Sequence, residues 1–109
     1  MSWDIMLGKP LAGTATEQFD EDNLETFDLT LVKGTLKALC PQITQVRPLW
    51  MNYEASCFEI DFDLAEDIIM MHVHILDLSG DEQFMSLLER ICKALHCRAF
   101  DTTSGNFLV

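Results

Sequence analysis

Two histidines and three carboxylates alternate with apolar residues in the middle of the chain. In the run CFEIDFDL, Glu59, Asp61 and Asp63 occupy every second position, and in IIMMHVHIL so do His72 and His74. Residues two apart on a strand share a face, so pairing of the two runs would bring imidazoles and carboxylates together. Such a group could ligate a transition metal or act as an acid–base pair.

A charged strand face explains the same pattern without any chemistry. The H-x-H spacing on a strand has low specificity, and alternation along an exposed face accounts for the three carboxylates. The sequence has no G-x-S-x-G, no Gly-rich phosphate loop, no H-E-x-x-H and no EF-hand spacing. We therefore predict that the protein is not an enzyme, with no catalytic residues, no metal site and no cofactor.

The two alternating runs are predicted to form an antiparallel hairpin over residues 57–76, around which the rest of the chain is organised. A strand is predicted over residues 3–11 and a helix over 28–40, capped by Asp28 and closed by Pro41. Residues 12–26 are interpreted as a polar surface loop, and residues 41–53 as a connection.

A second helix is predicted to follow Ser79, which with Glu82 fits a capping box. The chain would end in a strand at residues 98–100, a turn at 101–105 and a short return. This order predicts a single α+β domain over residues 1–109 with the ferredoxin-like βαββαβ fold: one antiparallel sheet with two helices on one face.

The charge of the chain restricts its partners. Acidic residues outnumber basic ones 18 to 7, for a net charge of -11. A field of this sign repels nucleic acid and anionic membranes and attracts basic proteins. With no signal-peptide pattern and no apolar run of about 20 residues, the sequence predicts a cytoplasmic protein that binds neither membrane nor nucleic acid.

The four cysteines, Cys40, Cys57, Cys92 and Cys97, form no C-x-x-C pair, and each lies in an apolar segment. They are predicted to be reduced core residues rather than zinc ligands or a redox motif.

Residues 29–108 resemble a group of small, acidic bacterial proteins. The similarity lies in LKALCP, the connection containing Trp50, FEIDF, the strand ending in H-V-H, the D-E-capped helix and the ending CRAFDTTSGNFL. In the family pattern H-V-R-G, the arginine is replaced here by His74. The group is similar to the immunity proteins that accompany toxins delivered between bacteria, and the resemblance implies a protein that binds and neutralises a cognate toxin.

Under this hypothesis, an acidic surface would occlude the basic active site of the toxin. Two geometries remain open, one using the sheet face and the other using the loops and Trp50. The candidate contacts are Glu17, Asp20, Glu21, Asp22, Glu25, Asp28, Trp50, Glu59, Asp61, Asp63, Glu66, Asp67, Met70, His72 and His74. The alternatives are a metal- or ligand-binding regulatory domain that uses His72 and His74, and a homodimerising module with Met70 on its surface.

Overall fold

An antiparallel sheet forms the framework of the protein. The computed structural model describes residues 2–10 and 24–109, whose eight strands follow the order β3-β4-β5-β6-β1-β7-β8, with β2 paired to the end of β1. The elements are β1 Ser2–Pro10, β2 Leu24–Glu25, α1 Leu29–Leu39, β3 Thr44–Arg47, β4 Trp50–Glu54, β5 Phe58–Asp63, β6 Ile69–Ile75, α2 Gly80–Leu95, β7 Arg98–Asp101 and β8 Asn106–Phe107.

The predicted ferredoxin-like βαββαβ fold is wrong. That arrangement has four strands, whereas the described residues form eight, and the protein has a strand-rich α+β fold. The largest error is at residues 41–53, interpreted as a connection, which form the hairpin β3–β4. The period-2 pattern is weak there because β3 is exposed throughout and β4 carries large side chains on both faces, with Met51 buried and Trp50 half-buried.

The predicted central hairpin is confirmed. Strands β5 and β6 pair antiparallel, with Phe58 opposite Ile75 and Phe62 opposite Met71. Strand β6 lies in the middle of the sheet, with three strands on each side. One face of the hairpin is buried throughout, through Phe58, Ile60, Phe62, Ile69, Met71 and Val73.

Both helices contribute to the core formed on this buried face. In α1, Val32 and Leu36 are buried, and Asp28 caps the helix as predicted, its Oδ1 accepting from the amides of Thr30 at 3.0 Å and Leu31 at 3.3 Å. Helix α2 buries one apolar stripe, as its 3.6-residue period predicts. The stripe consists of Phe84, Leu87, Leu88, Ile91, Cys92 and Leu95.

The predicted capping box at α2 is wrong. Ser79 precedes the helix in an αR conformation, and its side chain makes no capping hydrogen bond. Its hydroxyl instead lies 3.4 Å from the Sγ of Cys57, at the start of the central hairpin. None of the helices within residues 2–10 and 24–109 is long and apolar enough to cross a membrane.

Candidate protein-binding face of the sheet

The sheet face turned away from the core carries most of the residues singled out in the sequence. We call it the outer face. Because directly opposed residues of paired strands point to the same side, the register fixes which side chains meet there. The outer face is made of three parallel rows of side chains that cross the strands.

The first row is largely apolar and spans the sheet almost from edge to edge. Its charged members are Asp63, between Trp50 and Met70, and Arg47, opposite Trp50 in the β3–β4 pairing. We call the rest the apolar row, and these half-buried residues are Trp50, Met70, Met6, Phe100 and Phe107.

The aromatic end of the apolar row is well packed. The rings of Phe100 and Phe107 meet edge to face, with centroids 5.4 Å apart. The guanidinium of Arg98 lies 3.8 Å from the centroid of the Phe107 ring, a cation–π distance. These contacts fix the aromatic side chains in place, which suits them to act as rigid contact points.

The second row is polar and runs from Asn52 through Asp61 and His72 to Asp4. The amide group of Asn52 donates from Nδ2 to Asp61 Oδ1 at 2.9 Å and to Glu59 Oε1 at 3.1 Å. Glu59 belongs to the third row, with Glu54 and His74. Asn52 therefore links two carboxylates that lie two residues apart on the same side of β5.

His72 is held between an aromatic ring and a carboxylate. Its Nδ1 lies 2.7 Å from Asp4 Oδ1 and donates to it, since an ionised carboxylate can only accept. Its ring stacks on that of Trp50, with centroids 6.0 Å apart and planes inclined by 20°. Because β5 separates β4 from β6, the Trp50 side chain reaches across a strand to make this contact.

The histidines do not assemble a metal site within the described residues. His72 faces Asp61 and Asp4, and His74 faces Glu59. In residues 2–10 and 24–109, no group of three or more His, Cys, Asp or Glu side chains is arranged to hold a metal ion. The arrangement gives a surface of fixed charges and aromatic rings.

An open groove lies on the outer face along the edge strand β3 and its neighbour β4. This β3–β4 groove has a volume of about 580 Å³. Its lining residues are Gln42, Thr44, Val46, Trp50, Asn52, Glu54 and Asp61.

Several residues of the face were missed by sequence reasoning, among them Asp4, Asn52 and Glu54. The alternation of Trp50, Asn52 and Glu54 along residues 50–54 is the signal that could have revealed a strand with these side chains on one face.

The remaining candidate residues lie elsewhere or outside the description. Glu66 and Asp67 are in the β5–β6 loop, where the carbonyl of Glu66 accepts from the amide of Phe27 at 2.6 Å. This bond brings Glu66 beside the segment that contains Glu25 and Asp28. Asp28 is already engaged as the α1 cap. The other four candidates, Glu17, Asp20, Glu21 and Asp22, lie outside the described residues.

Most of the basic residues lie on the helices, and Arg47 lies on β3 opposite Trp50. Lys33 and Lys37 lie on α1, and Arg90 and Lys93 lie on α2, so four of the seven basic residues are on the helices. The carboxylates of β4 and β5 are Glu54, Glu59, Asp61 and Asp63. Within the part of the chain that the structure describes, none of them forms an ion pair with lysine or arginine.

Neither the comparison with models of protein families nor the comparison with curated protein sequences finds a match to this chain.

Proposed function

We propose that the protein is a cytoplasmic immunity protein that binds a basic bacterial toxin through the outer face and thereby blocks the active site of the toxin. The observation that carries the proposal is the juxtaposition on this face of the apolar row and of carboxylates that have no lysine or arginine partner among the described residues. A toxin surface with basic and apolar residues is complementary to both.

The charges support fast and selective encounter. The chain has a net charge of -11, and its outer-face carboxylates lie on adjacent strands. Complementary potentials of this kind raise association rates by about 10- to 1000-fold at low salt. An inhibitor that must reach its toxin before damage occurs benefits from such steering.

The apolar row supports a long-lived complex. Binding energy in protein interfaces is concentrated in a few central residues, and aromatic side chains are enriched among them. Trp50 and Phe100 are aromatic residues toward the two ends of the apolar row, and contacts with His72 and Phe107 already order their rings. Less conformational entropy is then lost when the partner binds.

A matched pair of charge reversals tests the proposal. Asp63→Lys changes an exposed carboxylate of the outer face, and Glu89→Lys makes the same change in net charge on an exposed site of α2. Each variant is co-expressed with the toxin encoded beside its gene, and survival and the association rate constant are measured. We expect Asp63→Lys to slow association about tenfold and to lower survival, because it reverses one charge of the field that attracts a basic partner.

Glu89→Lys should protect almost as well as the unaltered protein. Equal protection by both variants, or an equal loss in both, would contradict binding through the outer face. The absence of toxicity from the neighbouring gene product would contradict the immunity function itself.

A further inference from the structure

We propose that the β3–β4 groove receives an arginine side chain of the partner, stacked on Trp50 and bonded to Asp61 and Glu54. This inference deepens the proposed function and rests on it for the source of the arginine, which is the toxin. The properties of the groove itself can be examined without the toxin.

Hydrogen-bond acceptors dominate the polar lining of the groove. Nδ2 of Asn52 is engaged with the two carboxylates of β5, which leaves Asn52 Oδ1 as an acceptor. Asp61 uses Oδ1 for Asn52 and retains Oδ2, and Glu54 makes no side-chain hydrogen bond among the described residues. Gln42 and Thr44 also line the groove and can donate or accept, whereas the two carboxylates only accept and favour a cation.

The walls of the groove suit a flat cation with an aliphatic stem. His72 stacks on one face of the Trp50 ring, and Trp50 lines the groove. Val46, whose exposed fraction is 57%, also lines it. A guanidinium stacks on an indole face and presents five donors in a fixed plane, whereas an ammonium is a compact, strongly hydrated point charge. These features select arginine over lysine.

A basic residue, Arg47, lies beside the groove rather than in it. Arg47 is opposite Trp50 in the β3–β4 pairing, and it lines an adjoining depression with Val46 and Trp50. Among the described residues, no basic residue lines the groove itself.

Nuclear magnetic resonance with a small arginine derivative tests the groove directly. The full chain is titrated with N-acetyl-arginine methylamide at low ionic strength, and the neutral isostere N-acetyl-citrulline methylamide serves as the control ligand. We expect saturable shifts of the Trp50 indole and Asn52 side-chain amide signals with the arginine derivative. The Trp3 indole signal should stay in place, because Trp3 packs against Phe84 on the core side.

Two substitutions complete the design. Asp61→Asn should raise the dissociation constant about fivefold, near the upper range for an exposed ion pair. Glu89→Gln removes the same charge from α2 and should leave the dissociation constant unchanged. Equal shifts with the arginine and citrulline derivatives, or no shift of the Trp50 signal, would overturn the assignment.

The failure of this inference is distinguishable from failure of the proposed function. If the arginine derivative does not bind but Asp63→Lys still reduces protection, the groove assignment fails and the immunity function stands, since Asp63 does not line the groove. If the derivative binds but the neighbouring gene product is not toxic, the groove assignment stands and the immunity function fails.

Discussion

Asn52 holds together the most highly charged part of the outer face. Glu59 and Asp61 lie on the same side of β5, and the amide of Asn52 donates to both. Without these bonds the two carboxylates would repel each other with only solvent between them. A shared neutral donor offsets part of this repulsion, so the two carboxylates can lie close together on the face.

Replacement of Asn52 should therefore destabilise the protein in a salt-dependent way. We expect Asn52→Ala to lower the free energy of unfolding by about 1 kcal/mol, the typical net value of such hydrogen bonds. The loss should be smaller at high ionic strength, because the Debye length falls from about 10 Å at 0.1 M salt to about 3 Å at 1 M. Urea denaturation at both salt concentrations measures it.

The matched control is Asn106→Ala, at an exposed site on β8 whose side chain makes no hydrogen bond among the described residues. This variant should unfold with nearly the same free energy as the unaltered protein at both salt concentrations. Equal losses in the two variants would show that the bridge of Asn52 between the carboxylates contributes nothing to stability.

The sequence predicts which side chains share a strand face but not which strands lie side by side. Glu59, Asp61, His72 and His74 were predicted to share a sheet face because the two runs are adjacent in the chain, and the register places them there. Asp4 binds His72 across 68 positions of sequence, and no local pattern indicates that contact. Its prediction would require the order of the strands.

Elements with one buried face were predicted well, and those with two occupied faces were not. Helix α2 and the β5–β6 hairpin have clear periods, since one side is buried and the other polar. Strand β3 has all four residues exposed, and β4 has large side chains on both sides. Hydrophobic periodicity is weak in such strands, so their pairing depends on tertiary contacts.

The two helical glycines should respond in opposite directions to alanine. Gly34 lies inside α1, and a Cβ added there meets no atom within 4 Å. Gly80 begins α2 against the start of β5, where an added Cβ would overlap the carbonyl oxygen of Cys57 and lie 2.9 Å from Cγ2 of Ile75. Glycine at position 34 lowers the stability of the helix and makes no close contact in return. At position 80, glycine is required because helix and sheet approach each other closely.

We expect Gly34→Ala to raise the free energy of unfolding by roughly 0.5–1 kcal/mol, through the lower backbone entropy of the unfolded chain. Gly80→Ala should lower it by about 1–3 kcal/mol, as forced overpacking does. Thermal and urea unfolding of the two variants provide the measurement. A change of the same sign in both would contradict this account of the α2–β5 contact.

Across the whole molecule, the buried and outer faces of the sheet have different tasks. The buried face and both helices supply one hydrophobic cluster, which stabilises the fold. The outer face has little share in that core, so its residues can be charged or aromatic with small effects on stability. Because of this separation, the residue types on the outer face indicate what kind of partner binds there. The order of the strands could not be predicted from residue types and is known only from the structure.

The four cysteines should report on unfolding of the whole molecule. All are free thiols, and each is buried in the core, in separate elements or at their ends. Burial raises the pKa of Cys40 to about 12, and the hydrogen bond with Cys92 together with burial also raises the pKa of Cys97. Because the thiolate is the reactive form, these two thiols are protected both by inaccessibility and by protonation at pH 8.

We expect negligible modification of the native protein by iodoacetamide at pH 8, and alkylation of all four thiols in denaturing urea. As urea is raised, the extent of labelling after a short pulse should follow the unfolding transition seen by circular dichroism, since cooperative opening exposes every site together. Mass spectrometry of the digested protein assigns each modified thiol. Selective labelling of a single cysteine well below the transition midpoint would show that its element opens alone, contrary to a core that unfolds as one unit.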